Sequence, residues 1–320
     1  MMIFLTSLKS IFGIIFIIGL GYILRKRNWF HDSFSANISK LITNIALPAS
    51  IFYSVLKYLE LRELIKLSDR LLYTFASVIL GYIIAFLMVK IFKIRNGRRG
   101  TFINAVVNAN TIFIGMPLNI ALFGEESMPY YLMYYITNTV SIWTLGAFCV
   151  ANDPIFNIEN ENKGKSEFDW KKLLSPPLIG FMTALLFLLF RIKVPDFISS
   201  TLNYIGSIVT PLSLMYIGIV LADAGLHSIH FDRDTVLALI CRFIFSPVIM
   251  MSMIMIGNAV SGEFTELDVK TYMIQSSAPV FAVLPILVHE ARGDVKYATN
   301  VVTTSTILFA AVIPIILSII

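Results

Sequence analysis

Residues 108–124 read NANTIFIGMPLNIALFG, and residues 275–285 read QSSAPVFAVLP. Both stretches put amides or hydroxyls, small residues and proline inside runs without a formal charge, 101–123 and 271–289. Proline removes an amide hydrogen and disturbs the preceding helical turn. Unwound backbone at membrane depth is tolerated where protein or a water-lined cavity satisfies it. The two stretches therefore predict membrane helices that are interrupted near Pro117 and Pro279, with a polar volume between the breaks.

The rest of the chain supports a membrane setting. Hydrophobic residues make up 57% of 320 residues and charged residues 14%, with a mean hydropathy of +0.79. A soluble globule carries about 25% charged residues, so a soluble enzyme is excluded. The net charge of +5 lacks the massed basic face or motif of a nucleic-acid binder. No zinc spacing, phosphate loop or dinucleotide fingerprint occurs, so no metal or cofactor is expected. Cys149 and Cys241 lie in apolar runs and read as packing residues.

Uncharged runs cover 10–24, 41–56, 71–89, 101–123, 127–152, 173–190, 197–222, 243–262, 271–289 and 297–320. Several exceed the roughly 18 residues at which a membrane helix becomes the default reading. Three extend past a basic residue: Ile3–Leu24 over Lys9, Ser39–Lys57 over Lys40, and Leu237–Met255 over Arg242. The fold class predicted is an all-α polytopic membrane protein with ten transmembrane helices. Fifteen basic residues fall in loops on one side and seven on the other. By the positive-inside rule, both termini are then extracellular or periplasmic.

Pro48 and Pro117 lie 69 residues apart, and Pro211 and Pro279 lie 68 apart, in corresponding runs of the two halves. Each half has an odd number of spans, so a repeat would be inverted, as is common in secondary transporters. The halves are 1–152 and 172–320, joined by a cytoplasmic linker at 153–171. If the breaks cross, half-helix N-termini would face one volume and favour an anion. The candidate binding residues are Asn110, Thr111, Gly115, Pro117, Gln275, Ser276, Ser277 and Pro279. Plain proline kinks are the competing reading.

Arg242 is the one charge well inside a run. It is expected either to snorkel to the cytoplasmic surface, pairing with Asp234 or Asp232, or to attract or gate an anion. His289 either packs at a helix end or takes part in coupling. No Asp or Glu lies near the centre of a run, which disfavours proton pumping and cation carriage.

Four stretches resemble the auxin-efflux-carrier family in its compact prokaryotic form: Leu41–Phe52, Asn110–Gly124, Pro211–Leu221 and Ala278–Pro314. The resemblance spans nearly the whole chain and extends to malate and malonate permeases and plant auxin carriers. It implies two inverted five-helix repeats, with helices 1, 2, 6 and 7 as scaffold and helices 3–5 and 8–10 as a moving transport domain. It also implies that helices 4 and 9 cross at their breaks, and that a small carboxylate is carried by an elevator-like movement. The expected partners are that anion, the lipid bilayer and a second copy docked through the scaffold. A sodium-coupled bile-acid-type carrier, a membrane receptor or scaffold, and a channel are the rival readings. The His289-Glu290 pair departs from the small residues expected at that point of the family pattern.

Overall fold

The computed structural model describes residues 13, 16–31, 33–59, 61–153, 176–225, 229–260 and 264–320. The linker expected at 153–171, apart from Asp153, and the start of the first span lie outside these residues. Apart from turns and two short extended segments, the described chain is helical, as suits apolar backbone without water. Its helices are α1 (16–26), α2 (Phe34–Tyr58), α3 (Leu61–Ile91), α4 (Arg99–Val107), α5 (Thr111–Phe123) and α6 (128–151). They continue with α7 (Pro176–Leu189), α8 (Asp196–Asp223), α9 (Arg233–Val260), α10 (Glu266–Ser277), α11 (Leu284–Glu290) and α12 (Val295–Ile319).

Five of these helices contain spans long and apolar enough to cross a bilayer: α2, α3 from Leu67, α8, α9 and α12. The protein is thus an all-α, multi-pass membrane protein. The outward side chains agree with a lipid surround, since α3 exposes Leu72, Ile79, Ile83, Phe86 and Leu87, and α9 exposes Ile240, Ile244, Val248 and Met255. The shorter pieces α4–α5 and α10–α11 occupy the two runs expected to be interrupted. A pair of extended segments, Asn108–Asn110 and 278–280, separates each pair of half-helices.

Pro279 lies on an extended segment as expected, whereas Pro117 is accommodated differently. Pro48, Pro117 and Pro247 each stand two residues after a five-residue π-helical turn: Ile42–Ala46, Thr111–Gly115 and Cys241–Phe245. The wider turn accepts a residue that cannot donate, so the helix continues through it. Pro117 therefore lies within α5, and the break comes earlier, at Asn108–Asn110.

Two sets of helices pack together. Helix α2 lies against α7 and α8, and α1 meets α8 where both backbones come close. A Cβ on Gly218 would stand 2.0 Å from the Ile18 carbonyl oxygen, and one on Gly21 2.3 Å from that of Met215. In the other set, α3 packs against α4, α6 and α9, while α12 packs against α9, α10 and α11. Arg25 Nε donates to Asp223 at 2.5 Å between α1 and α8. At one end of the second set, Arg95 binds Asp232 and Asp234, and Arg98 binds Asp232 and Asp294. Asp153 accepts from the Gly97 and Gly100 amides at the start of α4.

Gly218→Ala should force α1 and α8 apart and cost about 1–3 kcal/mol. It should appear as a lowered Tm of the purified protein. Gly81→Ala is the control, because its Cβ would meet only the Val107 side chain at 3.5 Å. Equal behaviour of the two variants would refute the close helix contact.

Burial alone would raise the Asp232 carboxyl, but the Thr235 side chain and amide, with Arg98 and Arg95, outweigh it and hold it well below its usual range. A carboxyl depressed in the folded state adds stability above its unfolded value, near pH 4, and loses it as pH falls towards the folded value. Acid unfolding should therefore begin below about pH 4 and be blunted in Asp232→Asn. An identical acid limb in the variant would remove Asp232 from this role.

Candidate functional site at the helix crossover

The interrupted segments cross. Ala109 and Val280 form an isolated antiparallel β-bridge, and the Asn110 amide donates to the Pro279 carbonyl at 2.8 Å. One bridge cannot satisfy the extended backbone, and neighbouring helices do the remainder. Asn138 on α6 accepts from the Ala109 amide at 2.8 Å and donates to the Ala109 carbonyl at 2.9 Å. On the opposite strand the Val280 amide donates to Ser305 Oγ on α12 at 3.1 Å. Both side chains are buried.

Asn110 caps α5: its Oδ1 accepts from the Phe113 amide at 3.2 Å, and its carbonyl accepts from Gly115. An N-cap of this kind contributes about 1 kcal/mol. Thr111 Oγ1 accepts from Asn138 at 3.3 Å, and the Thr111 carbonyl accepts from the Tyr131 hydroxyl. Gln275 Nε2 donates to the Gly115 carbonyl at 3.0 Å, joining α10 to α5. A Cβ on Gly115 would stand 2.1 Å from Gln275 Oε1, so a side chain there would displace the Gln275 amide. Gln275 Oε1 and Ser277 Oγ are buried and have no protein partner, while Ser276 Oγ donates to Met273. Asn110, Thr111, Gly115, Gln275, Ser276, Ser277 and Pro279 are thus brought to one crossing. Pro117 is buried in α5 beyond it, and His289 is exposed in the last turn of α11.

Arg242 neither snorkels nor pairs with Asp232 or Asp234, which are held by Arg95 and Arg98. It is completely buried and donates to four carbonyl oxygens: Val106 at 3.1 Å, Val107 at 3.0 Å, Ser276 at 2.9 Å and Ala278 at 2.7 Å. These oxygens end α4 and α10, where a helix leaves its last carbonyls unpaired.

Beside the crossing, a small cavity is lined by Asn110 and Phe113 of α5, Ala282 between α10 and α11, Thr303 and Thr306 of α12, and Tyr216 of α8. The Phe113 and Tyr216 rings lie 4.7 Å apart. The free volume is about 20 Å³, room for about one water. The N-terminal end of α5 and the chain leading into α11 both border it, and an anion is favoured at helix N-termini.

A family model described as "Membrane transport protein" matches residues 6–317. The chain belongs to the membrane transport protein family. This bears out the resemblance to auxin-efflux carriers, and makes the chain a transporter-family member and not an enzyme. Among the described residues, no group of three or more His, Cys, Asp or Glu is arranged to hold a metal. An uncharacterized transporter of Methanocaldococcus jannaschii is 24% identical over 299 residues, covering 92% of each chain. An uncharacterized transporter of Methanothermobacter thermautotrophicus is 24% identical over 318 residues, covering 98% of each. Both resemble this family member along nearly their whole length.

Asn138 and Ser305 were not among the residues singled out by sequence. Asn138 offered a signal, as an amide inside the uncharged run 127–152. Ser305 offered none, because serine is common in membrane helices. Asn138→Ala would strand the Ala109 amide and carbonyl, at about 1–3 kcal/mol for each unsatisfied group. A thermal unfolding comparison with Asn152→Ala, whose amide bonds to its own helix at the surface, should show the larger loss for Asn138→Ala. Equal losses would contradict the bracing role.

Proposed function

We propose that this membrane transport protein is a secondary carrier of a small organic anion, a mono- or dicarboxylate, working by elevator-like alternating access. The observation that carries the reading is the cavity at the crossing, where the Asn110 cap of α5 and the approach to α11 meet α8. Asn110 lines that cavity, Thr111, Gly115, Gln275, Ser276, Ser277 and Pro279 belong to the crossing beside it, and Pro117 lies in the half-helix beyond. An anion there would meet the N-terminal end of α5 and the side-chain NH2 of Asn110.

The proposed architecture is ten spans in two inverted five-helix repeats, with α4–α5 and α10–α11 as the broken fourth and ninth. Helices α1, α2, α7 and α8 form the scaffold, which is also the surface proposed for a homodimer. Helices α3–α6 and α9–α12 form the moving domain. The described ion pairs support this division. Arg25–Asp223 lies within the first set, the Arg95 and Arg98 cluster within the second, and Lys57–Glu125 crosses between them at 3.5 Å. A boundary with few ionic ties is suited to sliding.

The fifteen-to-seven distribution of basic residues supports both termini outside, in a prokaryotic plasma membrane. An inside-negative potential would drive the anion outward by about 2.3 kcal/mol per charge per 100 mV. Efflux could then proceed without a coupled ion.

Thermal unfolding of the purified protein against malonate, malate, succinate and aromatic monocarboxylates tests the reading. A saturating anion, at about 100 times its dissociation constant, should stabilise by about 2.7 kcal/mol. Asn110→Ala should remain folded and lose at least about tenfold in affinity, equivalent to 1.4 kcal/mol. Absence of both binding and proteoliposome flux across the series would defeat the proposal.

A further inference from the structure

The placement of Arg242 calls for a role that anion binding does not supply. A guanidinium meant for an anion would offer donors to the cavity beside Asn110, yet four of its hydrogen bonds go to main-chain oxygens, and the Tyr134 side chain is a further partner. The acceptors come from two distant parts of the chain, 136 residues away at Val106 and 34 away at Ser276. Ser246 Oγ adds a hydrogen bond to the same Ser276 carbonyl at 3.0 Å.

Helices α4 and α10 both end at this point. Each C-terminus carries roughly half an elementary negative charge, so their meeting presents about one negative charge around the buried Arg242 side chain. Converging carbonyls of broken helices are also the arrangement with which secondary carriers hold a coupling sodium ion. In this chain, the guanidinium of α9 already sits among those oxygens, at 2.7–3.1 Å. Its charge matches the two helix ends, and its planar fork spans both, which a single ammonium could not do.

We propose that Arg242 is a tethered counter-cation: it permanently fills the carbonyl cluster at the crossing and replaces a mobile alkali cation, so the carrier runs without sodium. The inference takes its meaning from the carrier reading above. It places Arg242 as a positioning residue behind the site, not as an anion ligand. It also separates this chain from the sodium-coupled rival, because the feature that would bind sodium is occupied by the protein itself.

The test uses the full-length purified protein and compares unfolding in equimolar sodium, potassium and choline chlorides. The wild-type Tm should agree within about 1 °C across the three. Arg242→Ala should lose about 5 °C or more, and sodium or dilute guanidinium, but not choline, should restore at least half of the loss. If this variant does not fold, Arg242→Gln takes its place in the same series. A purely structural arginine would show the loss without cation-specific recovery, and that result would overturn the proposal. So would sodium-specific stabilisation of the wild type. Malonate flux into proteoliposomes supplies the second readout, and exchanging sodium for choline should alter the wild-type rate by less than about twofold. Sodium-dependent flux would reject the tethered cation while keeping the carrier. No carboxylate flux, with the unfolding pattern intact, would reject the carrier reading and keep the cation role.

Discussion

Everything at the centre of this protein depends on one constraint: two extended backbones cross where bulk water is absent. Asn108–Asn110 and the segment after Ser277 share one β-bridge. Their remaining amides and carbonyls must find partners or cost several kcal/mol each. Three side chains from three helices meet that need. Asn138 serves both polar groups of Ala109, Ser305 serves the Val280 amide, and Arg242 gathers the carbonyls that end α4 and α10. The crossing is therefore specified by α6, α9 and α12, and removing any one brace exposes a different part of it.

This arrangement explains which features were legible in the sequence. Charge-free runs and polar interruptions exposed the membrane class and the two broken segments, because lipid penalises charge and unpaired backbone directly. Pro279 marked its break correctly, since it lies on the extended strand and supplies the carbonyl for Asn110. Pro117 pointed to the right helix but the wrong turn. A π-helical turn at Thr111–Gly115 absorbs it, so the break falls where Asn110 caps the next half-helix and Asn108 is held by the Tyr82, Asn104 and Ser141 side chains. Local sequence shows that a proline must be accommodated, but not whether by a break or by a wider turn.

Arg242 was conspicuous, and its partners were not. Asp232 and Asp234 are the nearest carboxylates along the chain and the counter-charges that sequence alone suggests. Those carboxylates instead join Arg95 and Arg98, while Arg242 turns to backbone oxygens of α4 and α10. Carbonyls carry no sequence signature, and they become a charge partner only when two helix ends converge. Asn138 was less visible for the same reason. Its value comes from a strand 29 residues earlier that needs exactly two hydrogen bonds from one amide.

The division of polar work also bears on movement. The amides and hydroxyls around Ala109 and Val280 belong to helices of one packed set, as do the Arg95 and Arg98 ion pairs. By contrast, α8 faces the crossing through Tyr216, Ile217, Val220 and Leu221. Apolar contacts lack the directional demands of a hydrogen bond and can re-form after sliding, whereas the crossing could not be pulled apart without stranding buried backbone. The cavity has space for about one water, so the carrier proposed above would need α8 and the crossing to separate before a larger anion could enter. Under that proposal the hydrogen-bonded crossing would keep its helix ends in place, while the apolar boundary would supply the room.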